Sequence, residues 1–298
     1  LRIELRKINR FDIQPEPVLS DLLDLVALGT VADLVKLDFN NRVLVNYGIK
    51  RIRSGNCNLG IEALARLSNK KLTDIKTSDL SFSIAPKINA AGRLDDISVG
   101  IKCLISRDNN EAEKYAKQLG ALNEQRKLVE NEMKDAALTI LSECIVKDNY
   151  TIAMYDEKWH QGVVGILASR LKEKYYRPTI IFAQDANGNL KGSGRSIASF
   201  HLRDALDLVS KKNPNLILSF GGHAMAAGLS IKINNFKVFC SEFEIIAKEL
   251  LSPDKLNLII EFDKSIPKKY LNHETIRAIN SQVWGQGFPI PVFFGVFD

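Results

Sequence analysis

Apolar positions change their spacing near the middle of the chain. Residues 22–37, LLDLVALGTVADLVKL, form a helix-length apolar segment interrupted at Gly29 and Thr30, with Asp33 the one carboxylate in its second half. Residues 42–53, RVLVNYGIKRIR, place Val43, Leu44, Tyr47, Ile49 and Ile52 at helical spacing, and LGIEALARLS follows as another helix. TSDLSFSIAPKINAAGRLDD reads as a loop, punctuated by Pro86 and Gly92, with Asn89, Arg93, Asp95 and Asp96 as its polar groups. Residues 109–142 predict one long helix, with a narrow apolar stripe at Ala112, Tyr115, Leu119, Leu122, Val129, Met133, Ala136 and Ile140. Asn110 is placed to cap its start. Such a helix runs about 50 Å and serves as a strut joining two domains.

Beyond the strut, strands and helices alternate. YTIAMY, PTIIFA, GNLKGSGRSI and LSIKI read as strands. GVVGILASRLKEK, HLRDALDLVSK and FKVFCSEFEIIAKELL read as helices. Alternation over about 100 residues predicts a separate α/β domain. LNLIIEFD opens a further segment, and the final PIPVFFGVFD looks like a strand cut short.

Length and composition narrow the class. A chain of 298 residues predicts two domains or more. Its 45% apolar and 26% charged content is that of a soluble globular protein. No apolar run reaches membrane-spanning length, so no membrane partner is expected. No secretory leader opens the chain; it starts at Leu1, which reads as a fragment of a longer protein. Cys57, Cys103, Cys144 and Cys240 lie far apart without a CxxC pair. They read as buried or half-buried thiols in a reducing cytoplasm. The net charge of +6 admits an anionic partner.

Candidate chemistry centres on SFGGHAMAAGLSI, residues 219–231. Gly221 and Gly222 let a ligand approach the main chain closely, and His223 adds a donor suited to a phosphate oxygen. Ala224, Ala226 and Ala227 keep the surroundings shallow, and Gly228 ends the turn or helix, whose exposed N–H groups suit an anion. The same residues fit a tight helix–strand packing site with a structural histidine equally well. In KGSGRSI, Gly192 and Gly194 flank Ser193, and Arg195 follows; this reads as a phosphate cradle or as a β-turn with a solvated arginine. In WHQGVVGILASRL, His160 precedes a glycine and a helix start, with Arg170 two turns on. The four histidines, His160, His201, His223 and His273, stand apart, with no HExxH or Cys/His cluster. Asp33 is the most suggestive carboxylate for a divalent ion, although one aspartate does not make a two-metal site. No Ser–His–Asp signature or Walker-type loop is present.

LVALGTVADLVKL, KINAAGRLDD, WHQGVVGILASRL, GSGRS, GGHAMAAGLS and WGQGFPIPVF occur in that order. This succession resembles the RecJ family of bacterial single-stranded-DNA exonucleases, within the DHH phosphoesterase superfamily, from about residue 20 to 298. The resemblance implies an α/β protein. Residues 1–107 would be the C-terminal part of a DHH domain and 108–146 the connecting helix. Residues 150–250 would be a DHHA1 domain, and 255–298 the incomplete beginning of an OB-fold region. It implies 5′–3′ hydrolysis of phosphodiester bonds with two Mn2+ or Mg2+ ions, in cytoplasmic DNA repair and recombination. Single-stranded DNA would be the substrate, and single-strand-binding protein and a RecQ-type helicase further partners.

By the same resemblance Asp33 matches a metal-binding aspartate and Arg93 an arginine near the 5′ phosphate. Gln125 or a neighbour in LNEQR matches a strand contact on the connecting helix, and Arg170, Ser193 and Arg195 match phosphate contacts. Gly221 and Gly222 would take the DNA backbone, and His160 and His223 are the catalytic candidates. One departure stands out. The Asp-His-His motif and the early aspartate-rich motif are absent, and in the family both lie upstream of where Leu1 begins. Two rivals remain: a DHH-type phosphodiesterase for short oligonucleotides or cyclic dinucleotides, and a non-catalytic single-strand-binding scaffold. With most metal ligands missing, the 298-residue chain alone is expected to be inactive as a nuclease. Manganese-dependent degradation of single-stranded DNA by a clean preparation would refute this.

Overall fold

The computed structural model describes residues 1–143 and 149–295. Cys144, the end of the expected connecting helix at 146 and the last three residues of PIPVFFGVFD lie outside that range. The chain forms two compact units, residues 1–123 with 261–298, and residues 124–260. No helix among the described residues is long and apolar enough to cross a membrane.

The first unit is helical. After α1 (Arg2–Lys7) come α2 (Leu23–Ala32), α3 (Phe39–Arg53) and α4 (Leu59–Leu67). Asp38 caps α3 by accepting the Asn41 N–H, and Asn58 caps α4 by accepting from Gly60 and Ile61. Asp24, 1% exposed, accepts the Asn58 N–H, and the Asn58 amide donates to the Leu104 carbonyl. This buried carboxylate thereby ties α2 to the start of α4.

The stretch expected to be a loop is helical instead. α5 (Thr77–Asp79) runs through a π-helical turn, Leu80–Ile84, into α6 (Ala85–Leu94), with α7 (Ser98–Ile105) after it. Pro86 reads as a breaker in sequence, but it sits in the first turn of α6, directly after the π turn, where a helix tolerates proline. Gly92 lies within α6, where a Cβ would crowd Ile97. The α2 helix also stops earlier than its apolar run: Leu34 takes a left-handed φ of 53° just past Asp33. The core gathers Leu28, Val45, Ile52, Leu64, Leu80 and Ile84. Residues 261–298 belong to it through Val283, through Leu37 donating its N–H to the Gln286 carbonyl, and through Thr77 donating to the Trp284 carbonyl. This segment contributes α12 (His273–Ser281) and the paired residues Lys264–Ser265 and Phe293–Phe294.

The long helix α8 spans Asn109–Glu143. Asp108, not Asn110, caps it, accepting the Glu111 N–H. In the first unit it buries Ala112, Ala116 and Leu119. In the second it buries Arg126, Glu130, Met133, Ala137 and Leu141, whereas the expected Ala136 and Ile140 are exposed. Glu130 accepts from Arg126 on its own helix at 2.5 Å and from Arg170 at 3.0 Å.

In the second unit β1 (Ile152–Tyr155) pairs in parallel with β2 (Thr179–Gln184) across the crossover helix α9 (Val164–Tyr175). β3 (Asn189–Arg195), α10 (Leu202–Lys212), β4 (Ser219–Gly222), β5 (Ala226–Lys232) and α11 (Phe236–Leu250) follow, giving the mixed strand order β1-β2-β3-β5-β4. Side chains alternate across the sheet. Ile180, Phe182, Leu190, Leu229 and Ile231 pack with α10 and α11, while Ile181 and Ala183 pack with α9. The Arg177 guanidinium joins the carbonyls of Asn149 and Leu256, both at 2.8 Å, holding the entry and exit of this unit together.

GGHAMAAGL is a hairpin, not a helix start. β4 and β5 pair, and His223 donates its N–H to the Ala226 carbonyl at 2.8 Å. Gly228 lies inside β5 and ends nothing. A Cβ on Gly192 would sit 2.5 Å from the Phe182 ring, and one on Gly194 2.6 Å from Leu202. One on Gly221 would meet nothing within 4 Å. Gly192→Ala should therefore cost about 2 kcal/mol through overpacking, lowering the thermal midpoint, while Gly221→Ala leaves it unchanged or slightly higher. Glu130→Gln removes the buried carboxylate that Arg126 and Arg170 share, and should cost about 3 kcal/mol in urea unfolding. Arg170→Ala, whose side chain is 56% exposed, should cost less than half of that.

Candidate nucleic-acid interface

The sheet of the second unit has one face closed by α10 and α11 and another that α9 covers only in part. On this second face, past α9, the register sets Ser193, Gly228 and Gly221 side by side on β3, β5 and β4. The flanking rows are Arg195 with Ala226, and Lys191 with Ser230 and Ser219. Every side chain in this patch is absent, small, hydroxylated or cationic. Gly221, Gly228, Ser219 and Lys191 are exposed. A Cβ on Gly228 would come no closer than 3.8 Å to any atom. Internal packing therefore does not require either glycine, and their bareness is available to something outside the chain.

Arg195 and Ser193 border this floor at the first turn of α9. Their side chains fill the space beside Gly165, where a Cβ would lie 2.9 Å from Ser193 Oγ and 3.1 Å from Arg195 Nη2. Arg195 Nη1 donates to Ser193 Oγ at 3.2 Å and to the Gly194 carbonyl at 2.8 Å. The guanidinium is thus oriented by its own strand, beside the N–H end of a helix that favours negative charge. His160, exposed just before α9, accepts the Gly162 N–H on Nδ1 at 3.0 Å. His223 is exposed in the hairpin connection, whose Ala224 and Met225 carbonyls accept from Leu202 and Ser196.

Four expected residues have local explanations of their own. The glycine at 222 has φ 140°, and a Cβ there would sit 2.4 Å from the Ala226 carbonyl oxygen, so the hairpin itself demands it. Gly192 and Gly194 serve the apolar face and make room for Phe182 and Leu202 rather than for a ligand. Arg170 is turned to Glu130 on α8, with Glu173 at 3.8 Å, so its Nε is committed within the unit. Gln125 is exposed on α8. Glu130, Lys191 and Gly165 escaped sequence reasoning, and Gly228 reads in sequence only as the end of a turn or helix. Glu130 had a signal, a carboxylate four residues after Arg126 on a sparsely apolar helix.

In the first unit Asp33 ends α2 and lines a cavity of about 390 Å³ with Asn89 of α6, among apolar residues such as Leu28 and Ile88. Arg93 is exposed one turn beyond Asn89. Among the described residues no three His, Cys, Asp or Glu side chains gather to hold a metal ion, so Asp33 offers a single ligand and no complete site. Burial pushes the thiols of Cys57, Cys103 and Cys240 up to about 11, which keeps them protonated and unreactive.

The DHHA1 domain family matches residues 147–249. The single-stranded-DNA-specific exonuclease RecJ of Haemophilus influenzae is 45% identical over 301 residues, covering 100% of this chain and 52% of that protein. Crystal structures of Thermus thermophilus RecJ with Mn2+ and with Mg2+ both superpose with a TM-score of 0.81. They are 29% and 30% identical, and the matches cover 95% of this chain and 41% and 43% of those. The chain spans about half the length of the curated relatives it matches. It is a RecJ-family sequence, related from end to end to one half of a RecJ protein and carrying a DHHA1 domain.

Proposed function

We propose that this chain is the strand-holding portion of a metal-dependent 5′–3′ exonuclease specific for single-stranded DNA. The observation that carries the reading is the bare floor at Gly221 and Gly228 bordered by Arg195, Ser193 and Lys191. A phosphodiester backbone needs close approach to main chain, a bidentate cation and hydroxyl donors, and needs no base-reading groups. Binding of this kind is sequence-tolerant and weakens with salt.

In this reading Arg195 and Ser193 hold a phosphate at the α9 N-terminus, and His160 and His223 add hydrogen bonds from either side. Arg170 contributes its exposed guanidinium edge while Glu130 fixes its stem. Gln125 meets the strand from α8, and Arg93 acts near the 5′ phosphate. Asp33 would supply one carboxylate to a divalent ion, and the chemistry such an ion would bring is Lewis-acid polarisation of a phosphate. Residues 1–107 are read as part of the DHH domain, 108–146 as the connecting helix and 255–298 as the start of an OB-fold region. Cytoplasmic repair and recombination, with single-strand-binding protein and a RecQ-type helicase as partners, follow from family resemblance.

Arg195→Ala should raise the Kd for a 5′-phosphorylated single-stranded oligonucleotide about tenfold. It should also flatten the slope of log Kd against log salt by about 0.7, one phosphate contact on a single strand. An unchanged Kd removes Arg195 from the interface. Gly221→Ala should weaken the same binding several-fold although its thermal midpoint does not fall.

A further inference from the structure

A second cavity, of about 430 Å³, opens in the first unit and is separate from the one that Asp33 lines. Its volume lies within the range of small-ligand sites, about 300–1,000 Å³. Three features of its wall are unusual. Phe82 stands on the π-helical turn with 80% of its surface exposed, and π turns concentrate at functional sites. Leu34 lines the wall in a left-handed conformation that costs a non-glycine residue free energy. Trp284 ends a stack: the Arg42 guanidinium lies 3.5 Å from the Phe288 ring centre, and Phe288 lies 5.1 Å from Trp284 at 8°. The cavity is lined by Trp284 but not by Phe288 or Arg42, so Trp284 is the member of the stack that reaches it.

The remaining groups select among ligands. Lys76 brings a cation, Ser78 a hydroxyl and Gln286 an amide to the same wall. Flat aromatic plates, a cation and a few hydrogen-bonding groups in an otherwise apolar cavity match a heteroaromatic ring joined to an anion. An aliphatic side chain would use neither the plates nor the amide.

We propose that this cavity is a nucleobase subsite that takes one base of a single strand. The base stacks as the next plate on Trp284 beside Phe82, and its attached phosphate lies toward Lys76. The proposal rests on the reading of the chain as a single-strand binder, and adds to it a contact with a base rather than with the backbone.

The test compares an oligothymidylate with an abasic oligomer of equal length, on the wild-type chain, Phe82→Ala and Arg195→Ala. Phe82 is so exposed that its removal leaves the fold intact. Phe82→Ala should weaken the base-bearing strand about tenfold and leave the abasic strand unchanged. Arg195→Ala should weaken both alike. An oligothymidylate Kd unmoved by Phe82→Ala, or moved equally for both strands, overturns the base subsite. An Arg195→Ala protein unaltered on both strands overturns only the phosphate reading. If the wild type binds neither strand, thymidine monophosphate decides. Quenching of tryptophan fluorescence that Phe82→Ala abolishes keeps the subsite, and absence of quenching removes it.

Discussion

The second unit is governed by what its sheet can tolerate on each side. On the face under α10 and α11 there is no room for a side chain at Gly192 or Gly194, because Phe182, Leu229 and Leu202 already occupy the volume. Close packing of this kind fixes the register, since a slip of one residue would turn the crowded glycines outward and drive Ser193 and Arg195 into the aromatic cluster. The opposite face inherits its character from that constraint. Once the register is set, Ser193, Arg195, Lys191 and the open glycines must share one surface.

This arrangement separates two meanings of glycine that look alike in sequence. Those of KGSGR are structural, while Gly221 and Gly228 face open space. The charge that borders the open space is held by short-range contacts. Arg195 leans on Ser193 and its own strand, and Arg170 on a carboxylate that Arg126 also shares. Pre-oriented cations lose less entropy on meeting a phosphate than free ones do.

Much of this was legible in advance. Period-two and period-three-to-four apolar patterns located α3, α4, α9, α10, α11 and most strands, because each buries one clear face. The misreadings have physical causes. Pro86 signals a break only where the helix is regular, and the π turn before it is not visible to a propensity argument. The buried stripe of α8 was misplaced because Arg126 and Glu130 lie in it, paired to each other and to Arg170, where apolar counting sees only surface. GGHAMAAG reads in sequence as a turn or helix start, whereas pairing of its strands with each other and with β3 makes it a hairpin. Which glycines are crowded is a tertiary fact, and sequence carries none of it.

The split composition of the first unit has a consequence for biosynthesis. Its interior takes in Val283, and Leu37 bonds to the Gln286 carbonyl, so residues from before and after the inserted unit close one core. Residues 124–260 form their unit from one contiguous stretch, in which the Arg177 guanidinium joins the carbonyls of Asn149 and Leu256. On a ribosome the inserted unit can mature as soon as it emerges. Residues 1–123 must wait for residues 261–295 before Val283 and the Gln286 carbonyl can join them. Within this stretch the inserted unit is complete before its host, and the interval before the host closes is when a chaperone would have most to protect.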